Sequence, residues 1–173
     1  MVMISERPAE VSDRAVPGHW EGDVLLGRQP SGIATLVERS TRCGQLVALN
    51  DRHRAEAVRD ALARSIGQLS SQLRRSLTWD QGKEMLEHLQ FTVETGIQIY
   101  FCDPKSPWRR GSNENTKGLL RQYFPKRTDL NRFSQEELDA VAAELNERPR
   151  QTLRWATPAE RLAEVLAQTP AQR

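Results

Sequence analysis

The chain has few cysteines, few aromatic residues and no long apolar run. Its 173 residues include two cysteines, and 6% of them are aromatic. The uncharged stretches at 44–50 and 96–102 are far shorter than the roughly 18 to 20 apolar residues that a membrane-spanning helix needs. No basic segment followed by an apolar one opens the chain, so neither a secretory signal nor a transit peptide is predicted. We therefore expect a cytoplasmic protein without a membrane span.

The two cysteines do not form a recognisable framework. Cys43 and Cys102 lie far apart, without a CxxC pattern or a Cys/His spacing. This arrangement argues against a disulfide scaffold and against a zinc knuckle. Both residues are expected in or near a hydrophobic core.

Charge is unevenly distributed along the chain, although the net charge is only +2. Between residues 105 and 127 there are seven bases and one acid, Glu114, so this segment carries +6 and the rest of the chain −4. The bases are Lys105, Arg109, Arg110, Lys117, Arg121, Lys126 and Arg127. Such a segment is typical of a polyanion-binding surface, and a solvated helix face is the alternative.

The pattern of breaks and apolar residues predicts one folded core. Residues 1–17, with two prolines and several charges, are predicted to be a linker, residues 18–168 the folded core, and residues 169–173 a frayed tail. Within the core, short runs rich in branched residues predict strands, and apolar spacings of three and four predict helices. The predicted strands are 20–26, 33–39, 44–49, 76–79 and 97–101, and the predicted helices are 54–69, 83–95, 113–123, one after Ser134 and one from Pro158. This order predicts an α/β fold with a mixed sheet covered by helices.

Three acids lie next to strand ends or helix starts instead of on solvated helix faces. Asp23 falls inside the first strand, Asp80 directly follows the fourth, and Glu114 lies in the first turn of the helix after a proline-containing loop. Each has a structural alternative, since Asp80 could cap a helix, Glu114 could favour the helix dipole and Asp23 could face water. If the three converge, their oxygens suit a hard cation such as Mg²⁺ or Mn²⁺.

Three long segments around these acids resemble one protein family. They are Gly18-His19-Trp20-Glu21-Gly22-Asp23, Thr78-Trp79-Asp80-Gln81-Gly82-Lys83-Glu84 and Ser106-Pro107-Trp108-Arg109-Arg110-Gly111-Ser112-Asn113-Glu114-Asn115. Together with Asn146-Glu147-Arg148-Pro149-Arg150, they resemble the catalytic core of insertion-sequence DDE transposases of the IS-thirty family. The resemblance covers nearly the whole chain. It implies a ribonuclease H-like fold, with a five-stranded sheet of three antiparallel and two parallel strands flanked by helices.

The resemblance also implies a catalytic triad. Asp23, Asp80 and Glu114 would bind two Mg²⁺ or Mn²⁺ ions, and the separations of 57 and 34 residues suit this superfamily. The implied activity is metal-dependent DNA cleavage at transposon ends and strand transfer into target DNA. Its partners would be DNA and further copies of the chain, with no membrane and no small-molecule substrate.

Several neighbours of the triad are predicted to support it. Lys117 and Arg121 follow Glu114 by three and seven residues on one helical face, so both are predicted to bind DNA phosphates. His19 shares a strand face with Asp23 and is either a hydrogen-bond partner of the metal ligands or an ordinary buried histidine. The remaining predicted DNA-binding residues are Lys105, Arg109, Arg110 and Asn113, and Gln81 is predicted to hydrogen-bond to a metal ligand.

The chain departs from the family pattern in two respects. Gln81 stands where the family usually has Asn, so an amide is kept on a longer side chain. The N-terminal helix-turn-helix region that reads the element ends in full-length relatives is not seen before the linker. Two alternatives therefore remain: an inactive DNA-binding or oligomerising fragment that modulates intact transposase, and a ribonuclease H-like nuclease that acts on RNA–DNA hybrids.

Overall fold

The computed structural model describes residues 16–28, 30–49, 55–79, 91–92, 95–101 and 111–168. Its strands are β1 (His19–Leu26), β2 (Gly32–Glu38), β3 (Gly44–Ala48), β4 (Ser76–Trp79) and β5 (Gln98–Phe101). Its helices are α1 (Ala55–Gly67), α2 (Gly111–Leu120), α3 (Gln135–Asn146) and α4 (Pro158–Gln168). All five strands lie within one residue of their predicted limits. The predicted linker, tail and most of the helix at 83–95 fall outside the described residues.

The five strands form one mixed sheet in the order β3-β2-β1-β4-β5. β1 pairs antiparallel with β2, and β2 with β3, which gives the predicted meander. β4 pairs parallel with β1, and β5 parallel with β4. The predicted combination of three antiparallel strands and two parallel strands is confirmed.

Hydrophobic clusters cover both faces of the sheet. On one face, Trp20, Leu36 and Leu77 pack with the apolar stripe of α1, including Leu62 and Ile66. On the other face, strand residues pack against α2, α3 and the turn between them. The members of this second cluster are Leu25, Ile33, Leu46, Leu120, Phe124, Leu130, Leu138, Ala142 and Leu145. Because β1 alternates, its residues at 21, 23 and 25 point towards the α2 side.

Helix α2 begins earlier and ends earlier than the sequence predicts. It ends at Leu120, and the next residues form a tight turn in which the amide of Tyr123 donates to the carbonyl of Leu120 at 2.9 Å. Pro125 follows this turn, and a residue before proline avoids the α conformation. Phe124 is thereby turned into the core, where it is 1% exposed.

Helix α3 closes the outer edge of the sheet. The Asn146 side chain accepts from the amide of Gly44 at 2.9 Å and donates to its carbonyl at 3.0 Å. At the other end of α3, the Gln135 side chain accepts from the Ala48 amide and donates to the Leu46 carbonyl. Edge strands expose such groups to pairing with other chains. Two side-chain amides therefore substitute for a sixth strand beside β3.

Local sequence signals fix the helix starts on the C-terminal side. Ser134 and Glu137 form the predicted capping box before α3. Thr157 caps α4 and exchanges a second reciprocal pair of bonds with Glu160, both at 3.0 Å. Gly96 has φ +74°, the left-handed conformation expected of the glycine that ends a helix.

Candidate active site

Asp23 lies in the middle of the sheet, at a partly buried position on β1. Its side chain is 14% exposed. Its Oδ1 accepts from the amide of Val24 at 2.8 Å, and its backbone carbonyl accepts from the Thr35 hydroxyl at 3.3 Å across the β1–β2 pair. The strand therefore fixes the carboxylate on the face that α2 covers.

Lys117 brings helix α2 onto this carboxylate. Its Nζ lies 3.2 Å from Asp23 Oδ2, and the lysine side chain is 28% exposed. Helix α2 packs against both β1 and β2. Lys117 follows Glu114 by three residues, which is about one helical turn, so the two positions lie on one side of α2. The structure thus unites the segments of two predicted triad residues.

Strand β4 lies beside β1 at the same level. In the parallel pair, Gly22 is opposite Trp79, and these are the residues immediately before Asp23 and Asp80. Gly22 has no room for a side chain, since a Cβ there would stand 2.3 Å from Trp79 Cε3. Packing of the Trp79 ring against β1 therefore depends on the glycine.

The remaining predicted site residues are only partly described. Asp80, Gln81, Lys105, Arg109 and Arg110 lie outside the described residues. Glu114 and Asn113 lie in α2, but their side chains are outside the described part of the structure. Among the side chains that are described, no three His, Cys, Asp or Glu residues gather into a metal-binding group. The triad stays a prediction.

Arg121 is held by the protein backbone. Its Nη2 donates to the carbonyl of Leu26 at 3.0 Å, and its Nη1 donates to the carbonyl of Phe124 at 3.3 Å. The residue thereby ties the end of β1 to the turn after α2. Its predicted contact with DNA is not tested by this arrangement.

His19 is buried at the start of β1. It is 3% exposed, and its Nδ1 lies 2.7 Å from the Ser76 hydroxyl of β4. Four residues along a strand correspond to about 13 Å, which separates His19 from Asp23 even though they share a face. The observed partner of His19 is therefore part of the β1–β4 junction.

Two buried carboxylates beside the site have roles that the sequence did not predict. Glu21 forms an ion pair with Arg39, with side chains 0% and 5% exposed. Glu38 accepts hydrogen bonds from the Gly18 amide and from the amides and hydroxyls of Ser40 and Thr41. A strand position occupied by an acid was the only signal, and it does not distinguish a buried ion pair from a metal ligand.

One cleft of the described structure does not include Asp23 among its lining residues. It has a volume of about 710 Å³ and is formed by β3, α1 and α3. None of the described residues that line it is a predicted site residue. The candidate active site lies where β1 and α2 meet, outside this cleft.

Comparison with known proteins identifies the family and supports the fold. Residues 13–107 match the family described as the integrase core domain. A cryoEM structure of a simian T-cell lymphotropic virus intasome, in complex with PP2A regulatory subunit B56 gamma, matches with a TM-score of 0.65 at 18% identity. That match covers 91% of this chain and 57% of the other, and it supports the predicted ribonuclease H-like, integrase-type fold. The chain belongs to the integrase core family.

Relatives of higher identity show to which group within the family the chain belongs. The chain is 53% identical over 157 residues to transposase InsI of insertion sequence element IS30A from Escherichia coli, covering 91% of this chain and 41% of that protein. It is also 53% identical over 171 residues to the transposase of IS1086 from Cupriavidus metallidurans, covering 96% and 49%. Within the integrase core family, the chain is a member of the IS30 group of insertion-sequence transposases. It spans less than half the length of these two relatives.

One further expectation concerns membranes. None of the helices in the described ranges is both long enough and apolar enough to cross a bilayer.

Proposed function

We propose that this chain is the catalytic core of a DDE transposase that cuts DNA at the ends of an insertion sequence and joins them to target DNA. The observation that carries the proposal is the contact of Lys117 Nζ with Asp23 Oδ2 at 3.2 Å. It places the helix that contains Glu114 against the strand that contains Asp23. The β1–β4 register then brings the residue before Asp80 beside the residue before Asp23.

The donor set fits a divalent cation. The Asp23 carboxylate contacts a cationic group, the Lys117 ammonium, so a positive charge already lies beside it. Asp23, Asp80 and Glu114 would hold two Mg²⁺ or Mn²⁺ ions. When bound, such ions lower the pKa of the attacking water and stabilise charge on a phosphodiester.

The protein's own residues supply orientation and charge. The Val24 amide and the strand backbone hold Asp23 in one position, which lowers the cost of ordering it on ligand binding. Lys117 is close enough to the carboxylate to neutralise it while no other cation is present. Lys105, Arg109, Arg110 and Asn113 are proposed to bind DNA phosphates, and Gln81 to hydrogen-bond to a metal ligand.

The proposed partners are transposon-end DNA, target DNA and further copies of the chain. The two relatives reported above are about twice as long as this chain. The core itself would provide the chemistry.

The test is the melting temperature with Mn²⁺ and with EDTA, because a ligand that binds only the folded state raises it. We expect Mn²⁺ to stabilise the wild-type chain and to leave Asp23→Asn unchanged. Asp60→Asn is the matched control, since Asp60 lies on α1 in a partly exposed pair with Arg59 and should keep the full response. An equal Mn²⁺ response in Asp23→Asn would contradict the proposal.

A nicking assay then tests the chemistry. We expect Mn²⁺-dependent cleavage of DNA that carries an insertion-sequence end, and its loss in Asp23→Asn. An RNA–DNA hybrid serves as the comparison substrate. Strong hybrid cleavage without strand transfer would contradict transposase activity.

A further inference from the structure

The segment 150–156 forms a closed loop between α3 and α4. Its ends are joined by the Arg150 amide, which donates to the Ala156 carbonyl at 3.0 Å, and by the Trp155 amide, which donates to the Arg150 carbonyl at 2.8 Å. Arg154 and Trp155 both have positive φ, 55° and 66°. Two adjacent side-chain-bearing residues in this conformation are strained, and such strain persists where the surroundings hold the backbone. The loop therefore has a fixed shape.

This shape exposes a tryptophan. Trp155 is 67% exposed, whereas Trp20 and Trp79 are each 1% exposed. The loop is nevertheless anchored, because Leu153 is buried and its carbonyl accepts from Arg161 Nη2 at 3.1 Å. Exposure of Trp155 is thus a consequence of a well-anchored turn.

The surroundings of Trp155 are strongly basic. Residues 148–161 contain four arginines and a single acid, Glu160, which is engaged in capping α4. The arginines are Arg148, Arg150, Arg154 and Arg161, of which Arg161 is paired with Glu164 at 3.1 Å. Burial lowers the pKa of Arg150, and the positive charges of Arg42 and Arg148 lower it further. An anion bound here would relieve this repulsion.

The loop is connected to the candidate active site through α2. Arg150 lines a small cavity together with Arg42 and with Thr116, which directly precedes Lys117. Within the described structure, the buried Nε of Arg150 has no hydrogen-bond partner. Through Thr116, the base of the loop therefore lies against α2, the helix that carries Lys117.

We propose that loop 150–156 binds DNA, with Trp155 stacking on an unpaired base and Arg148, Arg150 and Arg154 contacting the flanking phosphates. The inference rests on the proposed function, since it assigns a second contact for the same substrate class. Aromatic side chains with neighbouring arginines suit single-stranded nucleic acid, because any base offers a face for stacking and the backbone supplies negative charge. A purely apolar partner would leave the arginines unmatched.

The experiment measures binding in EDTA, so that no catalysis contributes. The wild-type chain is titrated with a DNA duplex that carries an unpaired single-stranded end and with a blunt duplex of equal length. We expect preference for the unpaired end and quenching of tryptophan fluorescence. Trp155→Ala should lose the quenching and weaken binding about tenfold, and Trp155→Phe should keep most of the affinity.

Two further variants make the result decisive. Leu166→Ala removes another exposed apolar side chain, on α4, and should bind DNA as the wild type does. Arg154→Gln should weaken binding and reduce the dependence on salt by about one counterion. Melting temperatures show whether each variant is folded, and Arg154→Gln keeps the proposal testable if Trp155→Ala is not.

The outcomes separate this inference from the proposed function. If Trp155→Ala and Arg154→Gln bind DNA like the wild type while the Mn²⁺ response depends on Asp23, the loop inference is overturned and the catalytic proposal stands. If Trp155→Ala changes sedimentation but not DNA affinity, the loop is a protein interface and the inference is likewise overturned. Retained quenching by DNA in Asp23→Asn would support the loop as a separate contact.

Discussion

At the scale of single residues, Lys117 lies near two of the predicted metal ligands, Asp23 and Glu114. It contacts Asp23 directly, and it lies about one helical turn from Glu114. Sequence analysis predicts only a phosphate-binding role for it, because the contact with Asp23 joins residues 94 positions apart. In the proposed site, the lysine would compete with a metal ion for Asp23 and become available to DNA once that ion is bound.

We predict that Lys117→Ala destabilises the metal-free chain by about 1 kcal/mol, as expected for loss of a partly exposed ion pair. In a protein of this size that lowers the melting temperature by about 2 to 4 °C in EDTA. The rise on adding Mn²⁺ should be larger than in the wild type, while affinity for DNA falls. Calorimetry with and without Mn²⁺ and a DNA titration measure the three effects.

Lys126→Ala is the control for this prediction. It removes the same charge from an exposed turn near the end of α2, so its Mn²⁺ response should equal that of the wild type. A Mn²⁺ response that disappears in Lys117→Ala, as in Asp23→Asn, would show that the lysine supports metal binding and does not compete with it.

Cys43 allows a prediction about pH. The residue is 6% exposed, which confirms the expected core position, and burial followed by the charge of Glu38 raises the pKa of its thiol to about 12. The native state therefore holds this proton more tightly than the unfolded chain, whose thiol has a pKa near 9.0. Its contribution to stability is present below pH 9 and is lost as the pH rises towards 12.

We accordingly expect Cys43 to resist alkylation at pH 8 in the folded chain and to react rapidly in urea. The measurement uses Cys102→Ser, which leaves one thiol, and mass spectrometry after iodoacetamide treatment. Rapid modification without urea would mean that Cys43 is accessible in the native state.

At the scale of elements, the junction of β1 and β4 is decided by a glycine. Gly22→Ala would place a methyl group against the Trp79 ring, which is 1% exposed and embedded in the core. Overpacking of this kind costs about 1 to 3 kcal/mol. We expect a lower unfolding free energy in urea and a reduced Mn²⁺ response, because Trp79, the residue before Asp80, is displaced from its packing against β1.

Gly118→Ala provides the comparison. Nothing lies within 4 Å of a Cβ added at Gly118, and alanine favours a helix by up to about 1 kcal/mol over glycine. This variant should be as stable as the wild type or more so, with an unchanged Mn²⁺ response. Equal stability of the two alanine variants would contradict the proposed importance of the contact between Gly22 and the Trp79 ring.

Elements with local signals could be predicted, and those fixed by distant contacts could not. The limits of β4 and the capping box of α3 follow from a few neighbouring residues. By contrast, the amide pairs of Asn146 with Gly44 and of Gln135 with Leu46 join residues 102 and 89 positions apart. No pattern in the sequence identifies which strand edge a helix will close, so these contacts appear only in the structure.

At the scale of the whole molecule, the structure shows how strands and charged residues are arranged, which composition alone does not predict. Alternation and strand order predict a mixed sheet, and the family resemblance predicts which strands are parallel. The position of positive charge is less predictable: the segment 105–127 is evident in the sequence, but Arg148, Arg150 and Arg154 are separated by uncharged residues, and the last two are held on one closed loop with Trp155. Arg42 joins them from the turn between β2 and β3.

The β1–β4 pairing is a long-range contact, and this bears on the order in which parts of the chain fold. The meander β1–β3 joins residues that are near neighbours in the chain, whereas His19 and Ser76 are 57 positions apart and Asp23 and Lys117 are 94 apart. Closing long loops is entropically costly, so contacts of this range form late in folding. A chain emerging from the ribosome therefore has its hairpins before it has the proposed site. Any product that stops before residue 117 cannot make the Lys117–Asp23 contact, and the proposed DNA-cutting centre is completed only when synthesis has passed that point.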